Sequence, residues 1–468
     1  MTRIHAFGDD ALGDLDAVGL AAALRSGAVG SDEVVEAAIA RCEKVEPALA
    51  GLAAQRFDSA RSEAQRPASG FFSGVPAFIK DNCDIAGLPT QQGTKAYVGK
   101  PKSADGDVAR MLGAQGLIVL GKTRLSEFGF SGAAEFIDDD PVRNPWNPDH
   151  TSGASSAGSA AFVAAGVVPI AHANDGGGSI RIPASCCGLV GMKPTRFRTP
   201  SDAMTRQMPL RIVADGVVTR TVRDTAAYLR ESEKIYRNPS LPPVGDVQGP
   251  SSKRLRIAVI TDSISGRVTD AETRDAVLAA AALLEGTGHH VDLVSAPVPD
   301  FFTADFLAYW STFALFLTAM GKRELDPSFD ASLTDNLTKG LAQHAKRSVV
   351  RLPLALPRLW GSQFLTRQFF TKYDVTLSPT LGHVTPALGH FHPGQSYETV
   401  MANLLEWVSF TPLHNATGDP AISVPGAMSS SGLPIGVHLS AGHGQEARLL
   451  ELAYELEQVR PFPQIAAS

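Results

Sequence analysis

Residues 105–121, DGDVARMLGAQGLIVLG, contain the change of pattern that decides the fold class. The segment GLIVLG (116–121) is a short apolar run bounded by glycines, which is typical of a buried strand. The preceding residues, DGDVARMLGAQG (105–116), predict a helix, and VPAFIKD (75–81) predicts an earlier buried strand. This alternation of strand, helix and strand favours an α/β fold with a central twisted, mixed sheet flanked by helices.

The same alternation continues along the 468-residue chain and predicts a single large α/β domain. Helices are expected within residues 15–65, with Ser31 as a candidate N-cap. The chain is divided into four segments: an N-terminal helical segment packed on the core (1–70), a core segment (71–237), a linker-like loop (238–253), and the rest of the domain (254–468), with a helical excursion at about 300–370.

Composition restricts the classes of function. The formal net charge is −6 and the isoelectric point is about 6.1, which argues against nucleic acid or an anionic membrane as the main partner. The four cysteines form neither a disulfide framework nor a zinc-ligand spacing, so we expect no metal and a reducing compartment. The N-terminus lacks the apolar region of a signal peptide, and this predicts a cytoplasmic protein. The apolar stretch 301–320 contains Asp305 and is expected to be a buried helix or pocket wall, not a membrane span.

Two local motifs match known catalytic patterns incompletely. GLIVLGKT (116–123) fits the phosphate-loop pattern, but its four central apolar residues predict a strand instead of a polar loop. ASSAG (154–158) is close to the nucleophile elbow of Ser-His-acid hydrolases, with Ser156 at its centre, but it lacks the first glycine. A Ser-His-acid esterase is therefore a weaker alternative.

The stretch HANDGGGSIRIP (172–183) places three glycines directly before Ser179. The backbone N–H groups of such a loop can converge on a phosphate or on the oxyanion of an acyl transfer, and no lysine follows at phosphate-loop spacing. A serine nucleophile needs a base, and Lys80 ends an apolar predicted strand where burial could keep its amine neutral. Taken alone, such a lysine would more often be solvated or paired with Asp81 or Asp84.

Four long segments resemble, in the same order, the amidase signature family. They are GVPAFIKDNCDIAGLPTQQGT (74–94), GLIVLGKTRLSEF (116–128), NPWNPDHTSGASSAGSAAFVAAG (144–166) and DGGGSIRIPASCCGLVGMKPT (175–195). Residues 215–224 and 410–440 add weaker support. The resemblance implies the fold of that family and hydrolysis of amide bonds, with no cofactor.

In that family a Ser–cis-Ser–Lys triad carries the reaction. The resemblance places the lysine at Lys80, the bridging serine, preceded by a cis peptide bond, at Ser155, and the nucleophile at Ser179. It also implies that the loop around the nucleophile forms the oxyanion hole, with two neighbouring residues supporting it. The oxyanion-hole residues are Gly176, Gly177, Gly178 and Ser179, and the supporting residues are Asp175 and Arg181.

The chain also departs from the family pattern. Ala154 and Ala157 replace glycines of the serine-rich loop, and Gly176 stands where many members have a larger residue. Ile182 occupies a position that is usually glutamine in glutamyl-tRNA amidotransferase A subunits, which favours a free-standing amidase.

The substrate and the partners are expected from the same comparison. RIPASCCGLVGMKPTR (181–196) is similar to the branch with 6-aminohexanoate cyclic dimer hydrolases, so a cyclic or oligomeric amide stays an alternative substrate. An amidotransferase subunit of a tRNA-modifying complex is the other alternative. The variable segments 125–145, 200–212 and 301–370 predict an acyl pocket for a hydrophobic or aromatic group. The resemblance suggests a homodimer.

Overall fold

A computed structural model describes residues 3–263, 266–296 and 298–466. Within these residues, the strands form one eleven-stranded mixed sheet and a separate two-stranded hairpin. The strands are β1 (Leu52–Gln55), β2 (Pro76–Lys80), β3 (Ile118–Thr123), β4 (Arg143–Asn144), β5 (Asn147–Thr151), β6 (Ile170–Asp175), β7 (Val190–Lys193), β8 (Ala214–Thr219), β9 (Arg256–Val259), β10 (His290–Leu293), β11 (Val375–Pro379), β12 (Ala421–Met428) and β13 (Pro434–Ala441).

The helices pack around the large sheet. They are α1 (Ala17–Ser26), α2 (Ser31–Leu49), α3 (Phe57–Ala64), α4 (Asp107–Ala114), α5 (Ala157–Ala164), α6 (Arg181–Cys187), α7 (Ala203–Arg206), α8 (Val222–Ile235), α9 (Ala271–Gly286), α10 (Phe302–Glu324), α11 (Asn336–Ser348), α12 (Leu352–Lys372), α13 (Tyr397–Trp407), α14 (Pro412–Thr417) and α15 (Glu446–Val459).

The sheet order is β1-β3-β2-β6-β8-β7-β12-β13-β11-β9-β10. Strand β2 pairs in parallel with β3 and β6, whereas β8, β7, β12 and β13 pair antiparallel with their neighbours. The sheet is therefore mixed, as the sequence predicts. Strands from both sides of the linker-like loop at 238–253 belong to this one sheet, which makes a single α/β domain; the boundaries of the four segments stay a prediction.

The apolar pattern around 75–123 produces the strands that position the site. Every residue of β2 and β3 is buried, because strands inside a sheet covered by helices have no solvent-facing side. The GLIVLGKT segment is thus mostly strand β3, and a phosphate loop is excluded there. Because β2 and β6 are parallel, their carboxyl ends meet at one edge of the sheet, and this brings Lys80 near Asn174 and Asp175.

Helix α5 joins the serine-rich loop to β6, and all eight of its residues are buried. Small side chains are needed here, since a Cβ added at Gly158 would lie 2.3 Å from the carbonyl oxygen of Gly51. The run of small residues thus forms a tightly packed core helix that leads into strand β6.

The N-terminal segment differs from the sequence prediction in two details. Residues 52–55 form strand β1, antiparallel to β3, in a region expected to be helical. Edge pairing to an existing sheet outweighs a short, weak helical signal. In addition, Gly30 caps α2 in place of Ser31, and the side chain of Glu33 accepts a hydrogen bond from its N–H at 2.8 Å.

The predicted helical excursion at 300–370 corresponds to α10, α11 and α12. Asp305 of α10 is fully buried and forms an ion pair with Arg351 at 2.7 Å. The guanidinium of Arg351 therefore balances the negative charge that Asp305 brings into this apolar helix. In the part of the chain that the structure describes, no helix is both long and apolar enough to cross a membrane.

Candidate active site

Lys80 lies at the carboxyl end of β2 and is completely buried. Its Nζ donates hydrogen bonds to Ser155 Oγ and to Asn174 Oδ1, each at 2.7 Å. Burial lowers the pKa of Lys80 to about 7, although the negative charges of Asp215 and Asp175 oppose that shift. This lysine can therefore release or take up a proton near neutral pH, which a surface lysine cannot.

Ser155 lies two residues before the start of α5 and is 3% exposed. The peptide bond Ala154–Ser155 is cis, as the family resemblance implies. The next residue, Ser156, donates from Oγ to the carbonyl oxygen of Ser179 at 2.6 Å. Ser156 is thus a buried structural residue that holds the glycine loop, and the esterase interpretation of ASSAG is wrong.

Ser179 ends the glycine loop, is half-buried, and lines the same cavity as Ser155. Within the described residues its hydroxyl makes no hydrogen bond, so it stays available to a molecule in that cavity. The structure joins Lys80 to Ser155 directly and places Ser179 on the neighbouring wall.

The amides of the loop divide into two groups. The Gly178 N–H donates to Asp175 Oδ1 at 2.7 Å and is therefore not available to an oxyanion, which corrects the expectation for Gly178. Among the residues that the structure describes, the N–H groups of Gly176, Gly177 and Ser179 have no protein acceptor. Gly178 has a φ of +140°, and a Cβ there would lie 2.4 Å from Thr411 Oγ1, so its role is to allow the turn.

Asp175 and Arg181 form a fully buried ion pair beneath the loop, with Arg181 Nε 2.8 Å from Asp175 Oδ2. Burial acts to raise the pKa of Asp175, but the Arg181 guanidinium holds it well below its ordinary value. The Asp175 carboxylate also accepts from the N–H of Ile180 at 3.2 Å. The pair thus fixes the backbone on both sides of Ser179.

Two residues distant in sequence, Asn415 and Thr411, complete this support. Asn415 donates to Asp175 Oδ1 at 2.9 Å and accepts from Arg181 Nη2 at 2.7 Å. The hydroxyl of Thr411 donates to the carbonyl oxygen of Gly177 at 2.6 Å. Sequence reasoning missed these residues and Asn174, although Thr411 and Asn415 lie within the matched segment 410–440 and Asn174 directly precedes the segment 175–195.

A second buried cluster lies behind Lys80. His172 Nδ1 accepts from the Lys80 backbone N–H at 3.3 Å, and His172 Nε2 lies 3.2 Å from Asp215 Oδ1 and 4.0 Å from Cys83 Sγ. Since Nδ1 is the acceptor, Nε2 carries the hydrogen that Asp215 accepts. The ligand atoms of these three residues lie within 4.8 Å of one another, a set that could hold a metal ion. A metal at His172 Nε2 would have to displace the contact with Asp215.

A cavity of about 800 Å³ opens in front of Ser155 and Ser179. Its walls carry aromatic side chains from two of the predicted segments: Phe128 and Phe130, and Phe302, Phe306, Trp310 and Phe313 of α10. Trp310 packs edge-to-face on Phe130, with ring centroids 5.6 Å apart. Among the described residues, α11 and α12 contribute nothing to the wall, and Met401, Leu404 and Leu405 of α13 do.

Comparison with known proteins gives the family. A family model described as Amidase matches residues 33–450. The chain belongs to the Amidase family. It is 55% identical over 466 residues to "Putative amidase AmiC" of Mycobacterium leprae (strain TN), an alignment that covers 99% of each chain.

Two further relatives concern a cyclic amide. The 6-aminohexanoate-cyclic-dimer hydrolase of Paenarthrobacter ureafaciens is 32% identical, over 96% of this chain and 95% of that protein. The structure of a 6-aminohexanoate cyclic dimer hydrolase complexed with substrate superposes with a TM-score of 0.87 at 29% identity, over 97% of this chain and 98% of that chain. The family, the amidohydrolase activity and the fold expected from the sequence are thus confirmed.

Proposed function

We propose that the protein is a free-standing amidase that cleaves a carboxamide through Lys80, Ser155 and Ser179. The observation that carries the proposal is the buried contact between Lys80 Nζ and Ser155 Oγ, beside a cavity that also exposes the Ser179 hydroxyl. A histidine base is absent from these contacts in the described part of the chain. The base that a serine nucleophile requires is therefore the lysine.

The first half of the reaction forms an acyl-enzyme. Neutral Lys80 takes the proton of Ser155, Ser155 takes the proton of Ser179, and Ser179 Oγ attacks the amide carbonyl carbon. Asn174 Oδ1 accepts a hydrogen bond from Lys80 Nζ and so directs that nitrogen toward Ser155. When the C–N bond breaks, the proton held by Lys80 returns through Ser155 to the leaving nitrogen.

The second half hydrolyses that ester. Water attacks the acyl carbon and loses a proton through Ser155 to Lys80, and the carboxylic acid leaves as Ser179 regains its proton. In both halves, the unpaired N–H groups of Gly176, Gly177 and Ser179 are the donors for the tetrahedral oxyanion. The Asp175–Arg181 pair supports them by holding the loop.

The cavity favours an acyl group that is hydrophobic or aromatic. Phenyl and indole rings from Phe130, Phe306 and Trp310 contribute to its wall, and such rings bind apolar and aromatic groups. A cyclic or oligomeric amide is the second candidate, supported by the cyclic-dimer hydrolases among the relatives.

The nucleophile can be tested by labelling with a fluorophosphonate, which reacts with activated serines. We expect labelling of the native protein and none of Ser179→Ala, whereas Ser131→Ala, which changes another serine of the same cavity wall, should still be labelled. Persistent labelling of Ser179→Ala would overturn the assignment.

The substrate class can be tested with a panel of aliphatic, aromatic and cyclic amides, using the native protein and Trp310→Ala. We expect the variant to lose about tenfold or more in kcat/KM for aromatic amides and little for acetamide, because removing a large ring removes apolar contact. Equal losses for both substrates would contradict the acyl-pocket assignment.

Two finer properties belong to the same proposal. We expect a cytoplasmic enzyme that forms a homodimer. Sedimentation of the purified protein would test whether it is a dimer. The competing interpretation, a subunit of a tRNA-modifying amidotransferase, requires partner proteins. Purification of the native protein without partners, together with amidase activity, would exclude it.

A further inference from the structure

Helix α12 and the turn before it carry apolar side chains on their outer face. Val350 is 85% exposed, Leu354 53%, Trp360 48% and Phe364 61%. With the exposed Pro357 between them, these side chains recur every three or four residues, the spacing of one helix face. We call the five residues the outer stripe. Contiguous apolar side chains exposed along one helix face are typical of an interaction site.

The inner face of the same helix is already occupied. Ala355, Leu359, Ser362 and Thr366 are buried, and α12 packs against α10 and α14. Packing within the domain therefore does not explain the outer stripe. Exposing large apolar side chains to water is unfavourable in free energy, and a binding partner that covers them would remove this cost.

The sequence that contains the outer stripe is strongly basic. Residues 336–373 contain seven lysines and arginines and no aspartate or glutamate, although the whole chain has a formal net charge of −6. The basic residues are Lys339, Lys346, Arg347, Arg351, Arg358, Arg367 and Lys372. Arg351 and Arg358 pair with the buried Asp305, and Lys339 interacts with Asp330, whereas within the described residues no salt bridge joins the other four to an acidic group.

This combination selects among the surfaces that could cover the stripe. A second copy related by a twofold axis would bring two patches of the same positive charge together, and like charges repel. An anionic bilayer instead offers acyl chains to the apolar stripe and headgroup phosphates to the lysines and arginines.

We propose that the outer stripe and its basic flanks dock on the surface of an anionic phospholipid bilayer. The helix lies in the plane of the headgroups, with Trp360 and Phe364 inserted and with Lys346 and Arg347 on the phosphates. The protein binds at the membrane surface and does not cross it. The surface that binds is positively charged, although the chain as a whole is negatively charged.

The test is co-sedimentation with vesicles of phosphatidylcholine alone and of phosphatidylcholine mixed with phosphatidylglycerol. We expect binding to the mixed vesicles at low salt, weaker binding at high salt, and a blue shift of tryptophan emission that Trp360→Phe abolishes. Lys346→Glu/Arg347→Glu and Val350→Ser/Phe364→Ser should each reduce binding about tenfold or more.

Matched controls use exposed residues elsewhere: Lys44→Glu/Lys253→Glu and Val268→Ser/Leu293→Ser, which should bind as the native protein does. The thermal midpoint of each variant shows that it is folded. Equal binding of folded stripe variants and controls, or no binding to the mixed vesicles, would overturn the proposal. So would conversion of a native dimer to monomer by the stripe variants, which would assign the face to a second copy.

Discussion

Lys80 Nζ and Ser155 Oγ lie 2.7 Å apart, and both side chains are shielded from solvent. Because burial brings the pKa of Lys80 to about 7, the amine is neutral in a large fraction of molecules at physiological pH. Only that neutral form can accept the proton of Ser155. The same contact therefore relates the position of the lysine to the pH at which the enzyme works.

The first prediction concerns the pH profile of kcat/KM. Since the active base is neutral Lys80, activity should be low below the pKa, rise through about pH 7 and level off above it. Lys80→Met should lower kcat/KM by about a thousandfold. Lys80→Arg should show no rise of kcat/KM near pH 7, because a guanidinium stays charged at that pH. An unchanged acid limb in a still-active Lys80→Arg variant would show that another group titrates.

Asp215 provides the second prediction. Its carboxylate is one of the charges that raise the pKa of Lys80, so Asp215→Asn should lower that pKa and move the acid limb of the profile to lower pH. The asparagine oxygen can still accept from His172, which keeps the packing. Asp139→Asn, which removes an exposed charge paired with Arg124, is the control and should leave the limb in place. A limb that moves equally in both variants would argue against a local effect.

The sequence predicted the parts of the site that lie within contiguous segments. Lys80, Ser155, Ser179 and the pair Asp175–Arg181 each belong to a stretch that is recognisable on its own, and parallel pairing of β2 and β6 brings two of these stretches together. The α/β class followed from buried apolar runs alternating with helices. These are short-range properties of the chain.

What the sequence left open depends on long-range packing. Asn415 contacts Asp175 across 240 positions, and no local pattern indicates such a pairing. The use of the Gly178 N–H by Asp175 is a matter of loop geometry that composition cannot reveal. Strand β1 is likewise stabilised by its neighbour β3, not by its own propensity.

The buried pair Asp175–Arg181 supports a third prediction. Asp175→Asn removes one partner and leaves the guanidinium of Arg181 buried without its counter-charge, which costs about 3–5 kcal/mol. Chemical denaturation should show that loss, and fluorophosphonate labelling of Ser179 should fall in the variant that still folds. Glu36→Gln, which breaks an exposed pair with Arg61, should leave the denaturation midpoint unchanged. Similar midpoints for the two variants would contradict a supporting role.

The last prediction compares two neighbouring glycines. A Cβ at Gly178 would lie 2.4 Å from Thr411 Oγ1 and 2.6 Å from Ile182 Cδ1, at a φ of +140° that other residues rarely adopt. Gly178→Ala should therefore lower the thermal midpoint and abolish labelling of Ser179. A Cβ at Gly177 meets nothing within 4 Å, so Gly177→Ala should keep the native midpoint. If both variants melted alike, the tight contact of the loop with Thr411 and Ile182 would not be what holds Ser179 in place.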